Sequence, residues 1–232
     1  MLVIVIIAAV FATVSVALFV LELRRYRKRK QRSQFVRSMI EKSDVDGFLE
    51  EIERDIAKTS DDAYLRLLLV NKSTGLFYKG EWANVMSLLE SVEPFLLPRE
   101  FKTLYYNNLL SSMLLLDRID AANELYAKHL ASLAPYTVNR ELNIAVGSTL
   151  GALEYYNGNI SASKAKFTQL LEVVRPLIHT AVTHYFLGLI SISEENRPQA
   201  IEHFEKAWVM GKNTWVTDCV RPHLESLKQS AT

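Results

Sequence analysis

Residues 2–20 read LVIVIIAAVFATVSVALFV, a run without charge, glycine or proline, and the apolar character continues through Leu21 and Leu23. At about 1.5 Å of rise per residue, roughly 20 such residues cross the ~30 Å hydrocarbon layer of a bilayer. A transmembrane anchor over 1–23 is therefore expected. A cleaved signal peptide needs a basic segment ahead of a shorter apolar core, and here only Met1 precedes the run. Arg24, Arg25, Arg27, Lys28, Arg29, Lys30 and Arg32 follow it directly. Positive charge marks the cytoplasmic side of a span. The expected topology is single-pass, with the N-terminus outside, a basic juxtamembrane linker over 24–43 and a cytoplasmic domain over 44–232. The same cations suit anionic lipid head groups. A bacterial plasma membrane is the first expectation, and a eukaryotic outer mitochondrial or endoplasmic reticulum membrane is the alternative.

The chain has 27 basic and 26 acidic residues; eight of the basic ones and one acid, Glu22, fall within the first 37. The remaining 19 and 25 leave the folded part at −6. Nucleic acid needs a basic face, so no nucleic-acid partner is expected. Cys219 is the only cysteine, which excludes an intramolecular disulfide and a cysteine-based zinc site. The histidines, His129, His179, His184, His203 and His223, form no H-E-x-x-H or H-x-x-x-H pair, and no phosphate-loop, dinucleotide or nucleophile-elbow motif occurs. No catalytic residue, metal or cofactor is expected.

Beyond the basic stretch the apolar residues recur at helical spacing. The pattern predicts helices over about 44–58, 61–79, 81–92, 99–116, 118–133, 137–157, 159–174, 176–194, 197–211 and 214–229. Ser43 and Asp44 can cap the first of these, Ser60-Asp61-Asp62 starts the second, Asp117 and Asn196 stand where N-caps are needed further on, and Pro198 falls in a first turn, where its missing N–H does no harm. No segment alternates as a strand does. Short links force neighbouring helices antiparallel, which leaves a stacked solenoid or a closed bundle.

Internal repeats favour the solenoid. The last pair reads His184-x2-Leu187-Gly188, then Ala200-x3-Phe204-x2-Ala207. One unit earlier stand Leu150-Gly151, Ser163 and Phe167, and before that Tyr106-x2-Leu109-Leu110, Ala122 and Tyr126. This resembles the tetratricopeptide pattern W-x2-L-G-x2-Y…A-x3-F, clearest over about 100–211, with 214–229 as a C-terminal capping helix. The pair at 61–92 fits it poorly. The fold expected is all-α: one transmembrane helix, then a tetratricopeptide-like α-solenoid.

The resemblance implies binding of peptides or partner domains in a concave groove lined by the first helix of each pair. If the Leu-Gly slots face the second helix, the groove stripe falls at Asn107, Ser111 and Leu114, at Ser148, Ala152 and Tyr155, and at Tyr185, Leu189 and Ile192. Each set is spaced i, i+4, i+7, on one helical face. Packing between repeats is the competing role for Tyr155 and Tyr185. A membrane-anchored scaffold that recruits or assembles partner proteins is the expected function. The alternative is a structural or regulatory subunit whose transmembrane helix also takes part in assembly.

Overall fold

The helices form where the periodicity and the caps place them. In a computed structural model the described residues are 44–131, 140–173 and 177–229, all within one compact unit, Met39–Thr232. The apolar run 1–23 and the basic cluster Arg24–Arg32 lie outside them. Among the described residues there are ten α-helices and no strand. They are α1 (Val45–Lys58), α2 (Asp62–Lys79), α3 (Trp82–Glu90), α4 (Arg99–Leu115), α5 (Ile119–Leu125), α6 (Arg140–Tyr156), α7 (Ile160–Glu172), α8 (Leu177–Ser193), α9 (Arg197–Met210) and α10 (Trp215–Gln229). A π-helical turn, Tyr126–Leu130, extends α5. No helix among the described residues is long and apolar enough to cross a membrane.

Three of the expected caps are made. The Asp44 carboxylate accepts from the Gly47 N–H at 3.0 Å, Asp61 from Ala63 and Tyr64 at 3.0 and 3.1 Å, and Asn196 from Gln199 at 3.3 Å. Asp117 is not an N-cap. Its φ is +58°, in the left-handed region, and it ends α4 instead of starting α5, which begins after an uncapped Arg118. Asp and Asn tolerate that conformation better than most residues, so the same side chain suits either end of a turn.

Asp117 belongs to a recurring turn. Gly80, Asp117, Gly158 and Glu195 all have positive φ, and they stand 37, 41 and 37 residues apart. After each, the next N–H reaches back to a carbonyl five residues earlier: Glu81 to Leu76, Arg118 to Met113, Asn159 to Glu154 and Asn196 to Ser191, at 2.8–3.0 Å. This is the Schellman ending, which satisfies the last carbonyls of a helix and reverses the chain. Four helix pairs therefore share one connection: α2–α3, α4–α5, α6–α7 and α8–α9.

Counting from these turns aligns the packing. Seven residues before them stand Ser73, Leu110, Gly151 and Gly188; five after them, Val85, Ala122, Ser163 and Ala200; nine after them, Leu89, Tyr126, Phe167 and Phe204. All are buried except Tyr126, which is half-buried. In the last two pairs the slots interlock. A Cβ on Gly151 would lie 2.8 Å from the Phe167 ring, and one on Gly188 would lie 2.6 Å from Phe204. The Ser163 hydroxyl donates to the Gly151 carbonyl at 2.8 Å. Small residues thus let the helices approach until the ring of the second covers the backbone of the first. The first pair fills the same slots with Ser73, Val85 and Leu89, which is why its sequence hides the relationship.

The first helices of the pairs pack in a row, α2 on α4, α4 on α6 and α6 on α8, and each second helix also touches the first helix that follows it. Polar links recur across the row at one register. Asn123 and Asn157 exchange amide hydrogen bonds at 2.8 Å, and one repeat later Lys164 meets Glu194 at 2.6–2.9 Å. Helix α1 packs on α2, where Gly75 gives room to Phe48 and Leu49, and α10 packs on α9. Helix α8 is buried on every side, from Ile178 to Ser191. A helix covered all round belongs to the centre of a core, not to one wall of an open groove.

Candidate functional site

The nine residues of the expected stripe lie on the first helices of their pairs, α4, α6 and α8, and they are not an open surface. Asn107, Ser111, Leu114, Ser148, Ala152, Tyr185 and Leu189 are buried, Tyr155 is half-buried, and Ile192 alone is exposed, at 39%. Leu114, at 1% exposed, contacts no partner without rearrangement. The physical reason is that the two ends of the row meet.

Tyr78, in the last turn of α2, shares a buried hydrogen bond of 3.2 Å with His179 Nδ1, near the start of α8 and 101 residues away. Trp215, the first residue of α10, lies edge-on to Phe77, Trp82 and Tyr185, with ring centroids 6.2, 5.8 and 5.3 Å apart. Such edge-to-face pairs add to the burial of area. Gly80 is needed twice here. Its φ is +84°, and a Cβ on it would lie 3.1 Å from Trp215 Cβ. We call this contact between the first and last parts of the domain the clasp.

Beneath the clasp the inner helices are linked by side-chain hydrogen bonds. The Asn108 amide donates to Ser73 and Thr74 on α2, both at 2.9 Å, and Ser111 and Thr149 join α4 to α6 at 2.7 Å. Other buried polar atoms have no hydrogen-bond partner among the described residues: Asn107 Oδ1, Ser112 Oγ, Ser148 Oγ and, in the clasp, the indole nitrogens of Trp82 and Trp215. Asn107 and Ser148 occupy the same position, ten residues before the turn, on neighbouring helices. A buried polar group left unpaired costs about 1–3 kcal/mol, so an interior that keeps several invites a functional explanation.

Tyr185 sits at the centre of the aromatic cluster, beside Phe186, Phe204, Trp215 and His223. Burial raises its pKa, and neighbouring Tyr156 is pushed up to about 12, chiefly by burial. The half-buried Cys219 thiol is raised by burial and by Asp218, while its hydrogen bond with Tyr185 acts the other way. These groups stay neutral near pH 7 and serve packing.

The histidines serve as packing and inter-helix contacts. His129 lies flat on Tyr106 at 4.4 Å, and His223 flat on Phe204 at 5.0 Å. His184 and His203 join α8 to α9 through an Nδ1–Nδ1 contact of 3.0 Å. Among the described residues, no group of three or more His, Cys, Asp or Glu is arranged to hold a metal ion.

His203 and His223 make the domain's stability depend on pH. Burial lowers the His203 and His223 pKa values. Their neutral forms are therefore favoured in the fold, and the stability they contribute is complete above the unfolded value of about 6.5. It is lost as pH falls through that value toward the lower folded values, because the unfolded chain takes up protons first. The full chain in mild detergent is expected to unfold at a lower temperature at pH 5 than at pH 7.5. The gap should shrink when His203 and His223 are both replaced by Gln. An unchanged gap in that variant would assign the acid sensitivity to other groups.

The fold and the inner face together define an all-helical protein of stacked antiparallel pairs whose interior carries unpaired polar groups. No protein-family model, characterised protein or solved structure matches the chain. The sequence pattern gave no direct sign of the clasp. Trp82 and Trp215 open different helices, and nothing in their spacing joins them across 133 residues. Gly80 was the available signal, as a glycine between two helices whose recurrence with Gly158 marks equivalent turns.

Proposed function

We propose that this chain is a membrane-anchored interaction scaffold. In this reading residues 1–23 hold it in the bilayer, and the cations at Arg24–Arg32 keep the domain on the cytoplasmic side. The tetratricopeptide-like domain recruits or assembles partner proteins there. Tethering raises the effective concentration for partners in the same membrane. Repeat architecture supports a binding role over chemistry, since stacked pairs build extended surfaces.

The observation that carries the proposal is the pair Asn107 and Ser148. Both are buried, at 4% and 6% exposed, both have an oxygen unpaired among the described residues, and they occupy equivalent positions on adjacent inner helices. An extended peptide supplies the missing partners: a backbone N–H for Asn107 Oδ1, and a carbonyl for the Ser148 hydroxyl. Its entry requires the clasp between Tyr78, His179 and Trp215 to part.

The test is cross-linking and affinity capture of the full chain from its own membranes, with an Asn107→Leu/Ser148→Ala variant alongside. A specific partner is expected with the native chain and is expected to be lost with the variant. Recovery of the same proteins by both would sink the inner-face reading. No specific protein with either would sink the scaffold.

A further inference from the structure

A second surface lies on the outside of the domain. Helices α1 and α3 both pack on α2 and leave its outer face open between them, as a trough of about 780 Å³. Leu76 on the floor and Leu88 on the α3 wall are half-buried, so apolar area remains for a visitor. Asp46, Glu50 and Glu53 line the α1 wall at i, i+4, i+7, and Glu81 stands at the end of the α3 wall.

Two lysines on the floor only partly offset these acids. Lys72 meets Glu53 at 3.0 Å, and Lys79 meets Asp46 at 3.0 Å and Glu81 at 3.9 Å. Four acids against two lysines leave the trough negative, and Glu50 has no ion-pair partner among the described residues. Helix α1 adds to the field: residues 44–58 hold six acids and two bases. These ion pairs are exposed, with Asp46 at 75% and Glu53 at 60%. Exposed pairs contribute only about 0–1 kcal/mol, so an incoming cation exchanges with the lysines at little cost.

We infer that the trough between α1 and α3 docks a Lys/Arg-rich amphipathic helix of a partner protein. Two helices flanking a third form the groove into which another helix packs, at about 8–10 Å between axes. An apolar stripe on the visitor covers Leu76 and Leu88, and its flanking cations meet Glu50, Glu53 and Glu81. The charge argues against the other occupants. A second copy would set one acidic trough against another, and an anionic lipid surface would be repelled. The inference rests on the reading that this domain binds proteins, but at a face separate from Asn107 and Ser148.

The probe is a synthetic 18-residue amphipathic helix with leucines at i, i+3, i+4, i+7 spacing and lysines beside them, labelled and titrated with the full chain in mild detergent. Binding is expected, at least tenfold weaker for Glu50→Lys/Glu81→Lys and for Leu88→Ser, and weaker at high salt. It should be unchanged for Glu124→Lys/Glu225→Lys, a reversal of equal charge at exposed positions away from the trough. It should also be unchanged for Asn107→Leu/Ser148→Ala, so the two surfaces fail independently. Equal weakening by both charge reversals would overturn the proposal, because overall acidity would then suffice. A peptide with glutamates for lysines binding as well, or no binding, would also overturn it. So would a dimer of the full chain that Glu50→Lys/Glu81→Lys disrupts without peptide, which assigns the trough to a second copy.

Discussion

Replacing Gly188 with leucine is expected to unfold the α8–α9 pair under conditions where the native chain is folded. Even a methyl group at this position would sit 2.6 Å from the Phe204 ring. The ring has little room to move: it is fully buried, and one face is covered by His223 at 5.0 Å, nearly parallel. Overpacking a filled core costs about 1–3 kcal/mol, occasionally more, out of a typical total of 5–15 kcal/mol. Leucine exceeds the methyl case by three carbons. Alanine at 188 is the graded version, because the clash is partly offset by about 1 kcal/mol of better helix propensity.

The same pair supplies its own control. Phe204→Leu alone removes buried ring area and is expected to destabilise. In combination with Gly188→Ala, the smaller side chain makes room for the new methyl group, so the double variant should be more stable than the sum of the two single changes predicts. Denaturant unfolding of all four proteins followed by circular dichroism measures the coupling. Contacting residues usually show about 0.5–3 kcal/mol of it. Simple additivity would mean that the Gly–Phe interlock does not set the spacing of these helices.

Trp215→Ala is the second large effect expected, at about 3–5 kcal/mol for removal of a buried aromatic. Trp215 is 2% exposed and touches Phe77, Trp82 and Tyr185 from two different parts of the chain. Its loss removes the centre of the clasp as well as core volume. Amide hydrogen exchange should therefore speed up first at residues 77–82, far away in sequence, and near the start of α8. Tyr78→Phe removes only the hydroxyl that meets His179, and a cost of about 0.5–1.5 kcal/mol is expected. If exchange at 77–82 is unaltered in Trp215→Ala, the two ends are held together by something other than this cluster.

Much of this domain can be read without coordinates. The apolar face Val45, Phe48, Leu49, Ile52 and Ile56 predicts α1; the first four are buried and Ile56 is half-buried. Leu187-Gly188 with Ala200 and Phe204 identifies an interlocking pair before any distance is known, because a glycine in mid-helix usually marks a close approach. The α2–α3 pair escaped this logic. Ser73, Val85 and Leu89 fill the same slots by volume, so residue identity carries no signal and only the turn at Gly80 shows the equivalence. Asp117 misled for the opposite reason, since its side chain suits both an N-cap and a left-handed C-terminus.

The sequence by itself determined the helices, the caps at Asp44, Asp61 and Asn196 and the pairing of neighbours, while a shared face through Asn107, Ser148 and Tyr185 was an expectation from spacing alone. Those properties depend on residues a few positions apart. Whether that face is open was decided only by the tertiary structure. The angles at which helices cross are set by side-chain packing at every contact along the row, which no short stretch of sequence encodes. Here they bring Tyr78 to His179 and Trp82 to Trp215, and so an inner stripe expected to line a groove is folded under a clasp.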